Sequence, residues 1–172
     1  MNRRHVVLFT EGYLGLVLLA PLNHLLPWKI PFPDLVLLTV LYTALAVKGS
    51  FAAGAAVAVG LGYLADLFTG APKGLYSLTM GICYFTVRSM SARLYVRGKI
   101  SQVMVAFFVA MGVGVLQVVM TALIGEYSFF PLLQSAFGGA VATALCSPFV
   151  FWVLWSMDRK VAPEIIFEGF FR

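Results

Sequence analysis

Two aspartates, Asp34 and Asp66, a histidine, His24, and two opposite charges, Glu11 and Arg88, are the side chains of this sequence best suited to chemistry in an apolar setting. Paired carboxylates can share acid–base work, or they can accept the unpaired backbone N–H groups at the start of a helix. Asp34 follows Pro31-Phe32-Pro33 and opens an apolar run. That is an N-cap setting, and an acid there also meets the positive end of the helix dipole. Asp66 stands just before Thr69-Gly70-Ala71-Pro72-Lys73-Gly74, where proline and glycine mark a tight reversal. It can cap Lys73 or the next helix, or it can line an outward-facing polar mouth with Asp34 and His24. Glu11 and Arg88 lie at matching depths, about 7–8 Å and about 10 Å from the same end of their stretches at about 1.5 Å per residue. The match predicts an intramembrane ion pair that keeps both charges from lipid. The alternative has Arg88 reaching the headgroups and Glu11 wetted or protonated near the surface.

The elements that must position these residues follow from composition. Of 172 residues, 61% are apolar and 11% charged, with a mean hydropathy of +0.94. A soluble domain carries about 25% charged and about 45–50% apolar residues. This balance excludes a soluble globule, a disordered chain and a nucleic-acid binder, and makes the net charge of +5 a statement about topology. Apolar stretches run at about 6–27, 33–47, 50–69, 74–95, 101–124 and 131–157, too long for outer-membrane strands. The expected architecture is all-α, a compact bundle of six transmembrane helices in one integral membrane domain covering 1–172, with 158–172 as a cytoplasmic tail. A helix needs about 20 residues to cross, so six crossings leave no room for a soluble catalytic domain.

The second stretch is short, and charge placement decides its direction. With six crossings and both termini cytoplasmic, Arg3, Arg4, Lys48, Arg88, Arg93, Arg97, Lys99, Arg159, Lys160 and Arg172 fall inside, and Lys29 and Lys73 outside. If the second stretch fails to cross, all later segments invert and the bias is lost. The first stretch reads as an uncleaved helix, because Glu11 interrupts it and no small-x-small site follows.

Small residues recur at four-residue spacing in the third stretch, as Ala52, Ala56, Gly60 and as Gly54, Ala58, Gly62, Asp66, Gly70. Such ridges allow close helix approach, which predicts the third helix at the centre of the bundle with Asp66 on its packed side. Ser135, Gly139, Thr143 and Ser147 repeat the theme in the sixth. Cys83 and Cys146 read as packing residues. The tail mixes Arg159 and Lys160 with Ile165, Ile166, Phe167, Phe170 and Phe171, which suits a membrane interface or a docking patch. No zinc motif, nucleotide loop or Ser/His dyad occurs, so no catalytic residue, metal ligand or cofactor is assigned.

The run Pro33-Asp34-Leu35-Val36-Leu37-Leu38-Thr39-Val40-Leu41-Tyr42, followed by Gly60-Leu61-Gly62-Tyr63-Leu64-Ala65-Asp66-Leu67-Phe68-Thr69-Gly70-Ala71-Pro72-Lys73-Gly74-Leu75, resembles the rod shape-determining MreD family. The likeness covers about Pro31 to Arg97. It implies a non-enzymatic subunit of the bacterial inner membrane that acts with MreC, the MreB filament, RodA and a class B penicillin-binding protein in lateral peptidoglycan synthesis. It also implies a fold similar to the S-components of energy-coupling-factor transporters. The positions carried over are Pro33, Asp34, Gly62, Asp66, Gly70 and Gly74, assigned to an outer pocket or partner surface together with His24. Two other readings stay open: a solute-binding transporter subunit using the Asp34/Asp66/His24 mouth, and a membrane aspartyl hydrolase using the two acids.

Overall fold

The computed structural model describes residues 3–25, 32–46, 50–69, 73–91, 98–124 and 129–161. Among them are six helices and no strand: α1 (Arg3–Leu25), α2 (Leu35–Ala46), α3 (Phe51–Thr69), α4 (Leu75–Met90), α5 (Lys99–Ile124) and α6 (Phe129–Val161). Each expected apolar stretch overlaps one helix. Three of them, α3, α5 and α6, are long and apolar enough to cross a membrane by length and composition, and α2 is a shorter apolar helix. Leu18, Phe108, Leu123, Leu145 and Phe149 turn most of their surface outward, an apolar exterior that water would penalise and lipid would not.

The centre is α2, not α3 as the small-residue ridges predict. α2 touches all five other helices, and every residue from Val36 to Ala44 is buried. Its sequence, Leu-Val-Leu-Leu-Thr-Val-Leu-Tyr-Thr-Ala-Leu-Ala, is apolar all round, which is what a fully surrounded helix requires. Its two threonines return their hydroxyl protons to the helix, Thr39 to the Leu35 carbonyl at 2.9 Å and Thr43 to the Thr39 carbonyl at 2.8 Å.

In α3 the ridges face two neighbours: Gly54 and Gly62 approach α4, and Gly60 approaches Phe9 of α1. A Cβ on Gly62 would sit 2.6 Å from the Ser77 Cα, so the absent side chain sets how closely α3 and α4 approach. Away from these contacts α3 exposes Tyr63, Leu67 and Phe68. Small residues therefore bring α3 against its neighbours without enclosing it.

α6 continues through Pro148. Proline has no N–H for the carbonyl four residues back, and here the Ser147 hydroxyl donates to that carbonyl, Ala144 O, at 2.7 Å. Cys83 is buried and Cys146 half-buried, both as free thiols.

Candidate functional site

Asp34, Tyr76 and Asp66 join the starts of two helices. The Leu37 N–H donates to Asp34 Oδ1 at 2.9 Å, so Asp34 caps α2. Its own N–H donates to Thr143 Oγ1 at 2.9 Å, tying that start to α6. Asp66, 2% exposed, accepts three backbone N–H groups at the start of α4: Gly74 at 3.0 Å and Ser77 at 3.1 Å on Oδ2, and Tyr76 at 2.9 Å on Oδ1. Gly74, the residue at the cap position of α4, holds φ +93° and has no side chain to offer. A carboxylate from the preceding helix supplies the missing cap. The Tyr76 hydroxyl donates to Asp34 Oδ2, so one residue links both aspartates through its backbone and its ring.

The chemical consequence is specific. Both oxygens of Asp66 are engaged by backbone N–H groups, in the arrangement that holds a helix start. Of the remaining expected positions, Pro33 precedes the capped turn and Gly62 lies buried under Ser77. His24 lies in α1, but its side chain, like Gly70, falls outside the described residues.

Beside Asp34 a cavity of about 320 Å³ opens between the start of α2 and helices α5 and α6. Asp34, Gln117, Thr121, Ser135, Gly139 and Thr143 contribute its polar wall, and Leu37, Val113 and Leu132 part of its apolar one. Neither Asp66 nor His24 is among the described lining residues.

The expected Glu11–Arg88 pair is not made. Both Glu11 oxygens are buried without a hydrogen-bond partner, and Arg88 Nη1 donates to the Ala44 carbonyl at 3.1 Å. Equal depth was not enough, because the neighbours of α1 are α2, α3 and α6, and α4 packs on α2, α3 and α5. The observed ion pair joins other residues. Arg4 Nε donates to Asp158 Oδ1 at 2.6 Å and its terminal nitrogen to Oδ2. The Tyr42 hydroxyl donates to Oδ2 at 3.0 Å. All three residues are buried. From the sequence, Arg4 reads as a topological charge and Asp158 as the head of the tail. One signal was available, since an acid in the last turn of a helix opposes the dipole and calls for a cation.

Among the described residues no group of three or more His, Cys, Asp or Glu is placed to hold a metal ion. The sequence pattern of the family described as rod shape-determining protein MreD matches residues 4–157. The chain belongs to the MreD family. No curated protein and no solved structure matches it significantly. The MreD match runs from Arg4 to within one residue of Asp158, so it takes in both capped helix starts and nearly all of the buried ion-pair network. Members of the MreD family are shape-determining membrane proteins, a description that names no catalysed reaction.

Proposed function

We propose that this MreD-family chain is a non-enzymatic scaffold in the bacterial inner membrane, crossing it six times with both termini cytoplasmic. It binds the single span of MreC and so supports lateral peptidoglycan synthesis by the rod complex, whose other members are MreB, RodA and a class B penicillin-binding protein. The observation that carries this reading is the family match over residues 4–157. The topology draws support from the Arg4–Asp158 contact, which brings the start of α1 and the end of α6 to one end of the molecule. It draws further support from the sequence, in which six crossings put ten of the twelve arginines and lysines on the cytoplasmic side.

A scaffold in lipid needs fixed helix faces, because association there relies on shape and a few polar contacts rather than on release of water. The two networks, Asp34–Tyr76–Asp66 and Arg4–Asp158–Tyr42, each bind helices distant in sequence. In this proposal they keep the outward faces in register for a partner. Pro33, Asp34, Gly62, Asp66, Gly70, Gly74 and His24 shape the extracytoplasmic end.

The test is depletion in a rod-shaped host with affinity purification from native membranes. Cells should round up and MreC should co-purify. Retention of rod shape after clean deletion removes the reading. Cysteines at Lys73 and Lys160 should be labelled from opposite sides of the membrane, and labelling from the same side removes the topology.

A further inference from the structure

The cavity between α2, α5 and α6 carries more polar chemistry than helix packing needs. Gln117 lines it, and its Nε2 is buried with no hydrogen-bond partner. A buried amide donor left unpaired is costly, and native structures rarely leave one without a partner or an occupant. The hydroxyls around it have already spent their protons. Thr121 donates to the Gln117 carbonyl at 2.8 Å, Ser135 to the Leu132 carbonyl at 2.8 Å, and Thr143 to the Gly139 carbonyl at 2.7 Å. Thr121 and Ser135 therefore turn only lone pairs toward the cavity, and Asp34 adds a carboxylate. The wall offers one orphan donor and several acceptors.

A group that suits this wall donates to oxygens and accepts from an amide, as a hydroxyl does. No Lys, Arg or His is among the described residues that line the space, and the Asp34 carboxylate is, so among the described residues an anionic group meets like charge and no cation. Gly139 adds a second, independent point. A Cβ there would meet nothing within 4 Å, so internal packing does not call for glycine, whereas a larger residue would fill the cavity. About 320 Å³ is the lower end of the size range for small-molecule sites, roughly 300–1,000 Å³.

We infer that this cavity binds the uncharged, hydroxyl-bearing end of a small molecule, with Gln117 donating to it, Thr121, Ser135 and Asp34 accepting from it, and Leu37, Val113 and Leu132 enclosing its apolar part. The hydroxyls can belong to a neutral glycerolipid or to a free polyol. Asp34 is shared between this cavity and the capped start of α2, whereas Asp66 is not among the described lining residues.

The experiment uses the full chain in phosphatidylcholine nanodiscs with a diazirine-bearing dioctanoylglycerol as probe, and labelled positions read by mass spectrometry. Labels should concentrate on 110–121 and 132–143. Gly139→Leu should cut them about tenfold, and Gln117→Leu by several-fold, with helicity unchanged and the thermal midpoint no lower than the parent's. If Gly139→Leu does not accumulate, Gln117→Leu carries the test, since it removes the amide and leaves a side chain of similar size. Competition by unlabelled dioctanoylglycerol but not by glycerol assigns a lipid source, and competition by glycerol assigns a free polyol. Labelling spread evenly over lipid-facing positions overturns the inference. So does labelling indifferent to both variants, or labelling suppressed equally by dioctanoyl phosphatidic acid. Cell shape and MreC co-purification are read separately, so failure here leaves the scaffold reading standing, and the reverse.

Discussion

Arg4, in the first turn of α1, and Asp158, in the last turns of α6, form a buried two-point ion pair that fastens the first helix to the last. Removing one partner of a buried pair leaves an uncompensated charge, at a cost of about 3–5 kcal/mol, whereas replacing both with apolar residues is often neutral. Arg4→Met and Asp158→Leu should each lower the thermal midpoint sharply in nanodiscs, and the double variant should recover most of the loss. Additive losses in the double variant would show that the two side chains are not coupled.

Asp66→Leu should destabilise the protein by about 2–3 kcal/mol, because it withdraws the acceptor for three backbone N–H groups at the start of α4. Asp66→Asn keeps one acceptor oxygen and should cost less. Hydrogen exchange at residues 74–77 is the direct reading. Exchange there that stays as slow as in the parent contradicts the cap.

Tyr76→Phe keeps the ring and removes only the hydroxyl that reaches Asp34. A loss of about 1 kcal/mol is expected, with exchange quickening at the start of α2. If only α4 responds, the hydroxyl does not couple the two helices.

Glycine should matter unequally. Gly62→Ala places a Cβ 2.6 Å from a backbone atom of Ser77, which cannot rotate away, so α3 and α4 must separate at a cost of about 1–3 kcal/mol. Gly139→Ala meets nothing within 4 Å and should change the midpoint little. Equal effects from the two substitutions would refute this account of α3–α4 packing.

Glu11→Leu should raise stability, because both carboxylate oxygens are buried without a hydrogen-bond partner and an unsatisfied polar group costs on the order of 1–3 kcal/mol. A double-mutant cycle between Glu11 and Arg88 should give a coupling below about 0.5 kcal/mol. A larger coupling restores the ion pair that depth alone suggested.

Much of this was legible in the residues. Pro33-Asp34 before an apolar run signalled a capped helix, and Leu37 bonds to that cap. Gly74 after a turn rich in proline and glycine signalled a reversal, and its φ is positive. What could not be read was lateral order. Hydropathy gives each helix a depth and a direction, and two residues at equal depth meet only if their helices are neighbours. Glu11 and Arg88 satisfied the first condition and failed the second, while Arg4 and Asp158 were 154 positions apart and met. The central helix was misassigned for a related reason. Small residues such as Gly62 report how closely one neighbour approaches, whereas enclosure on all sides is reported by the uninterrupted apolar surface of α2.

The burial of α2 also bears on how the protein is made. Its 12 residues rise about 18 Å, well short of the roughly 30 Å that hydrocarbon presents. Alone in a bilayer it would be a poor fit, and Tyr42 would lack the Asp158 carboxylate. The surfaces that enclose it come partly from α4, α5 and α6, which leave the ribosome later. The second helix to be synthesised thus completes its surroundings only when the C-terminal half arrives.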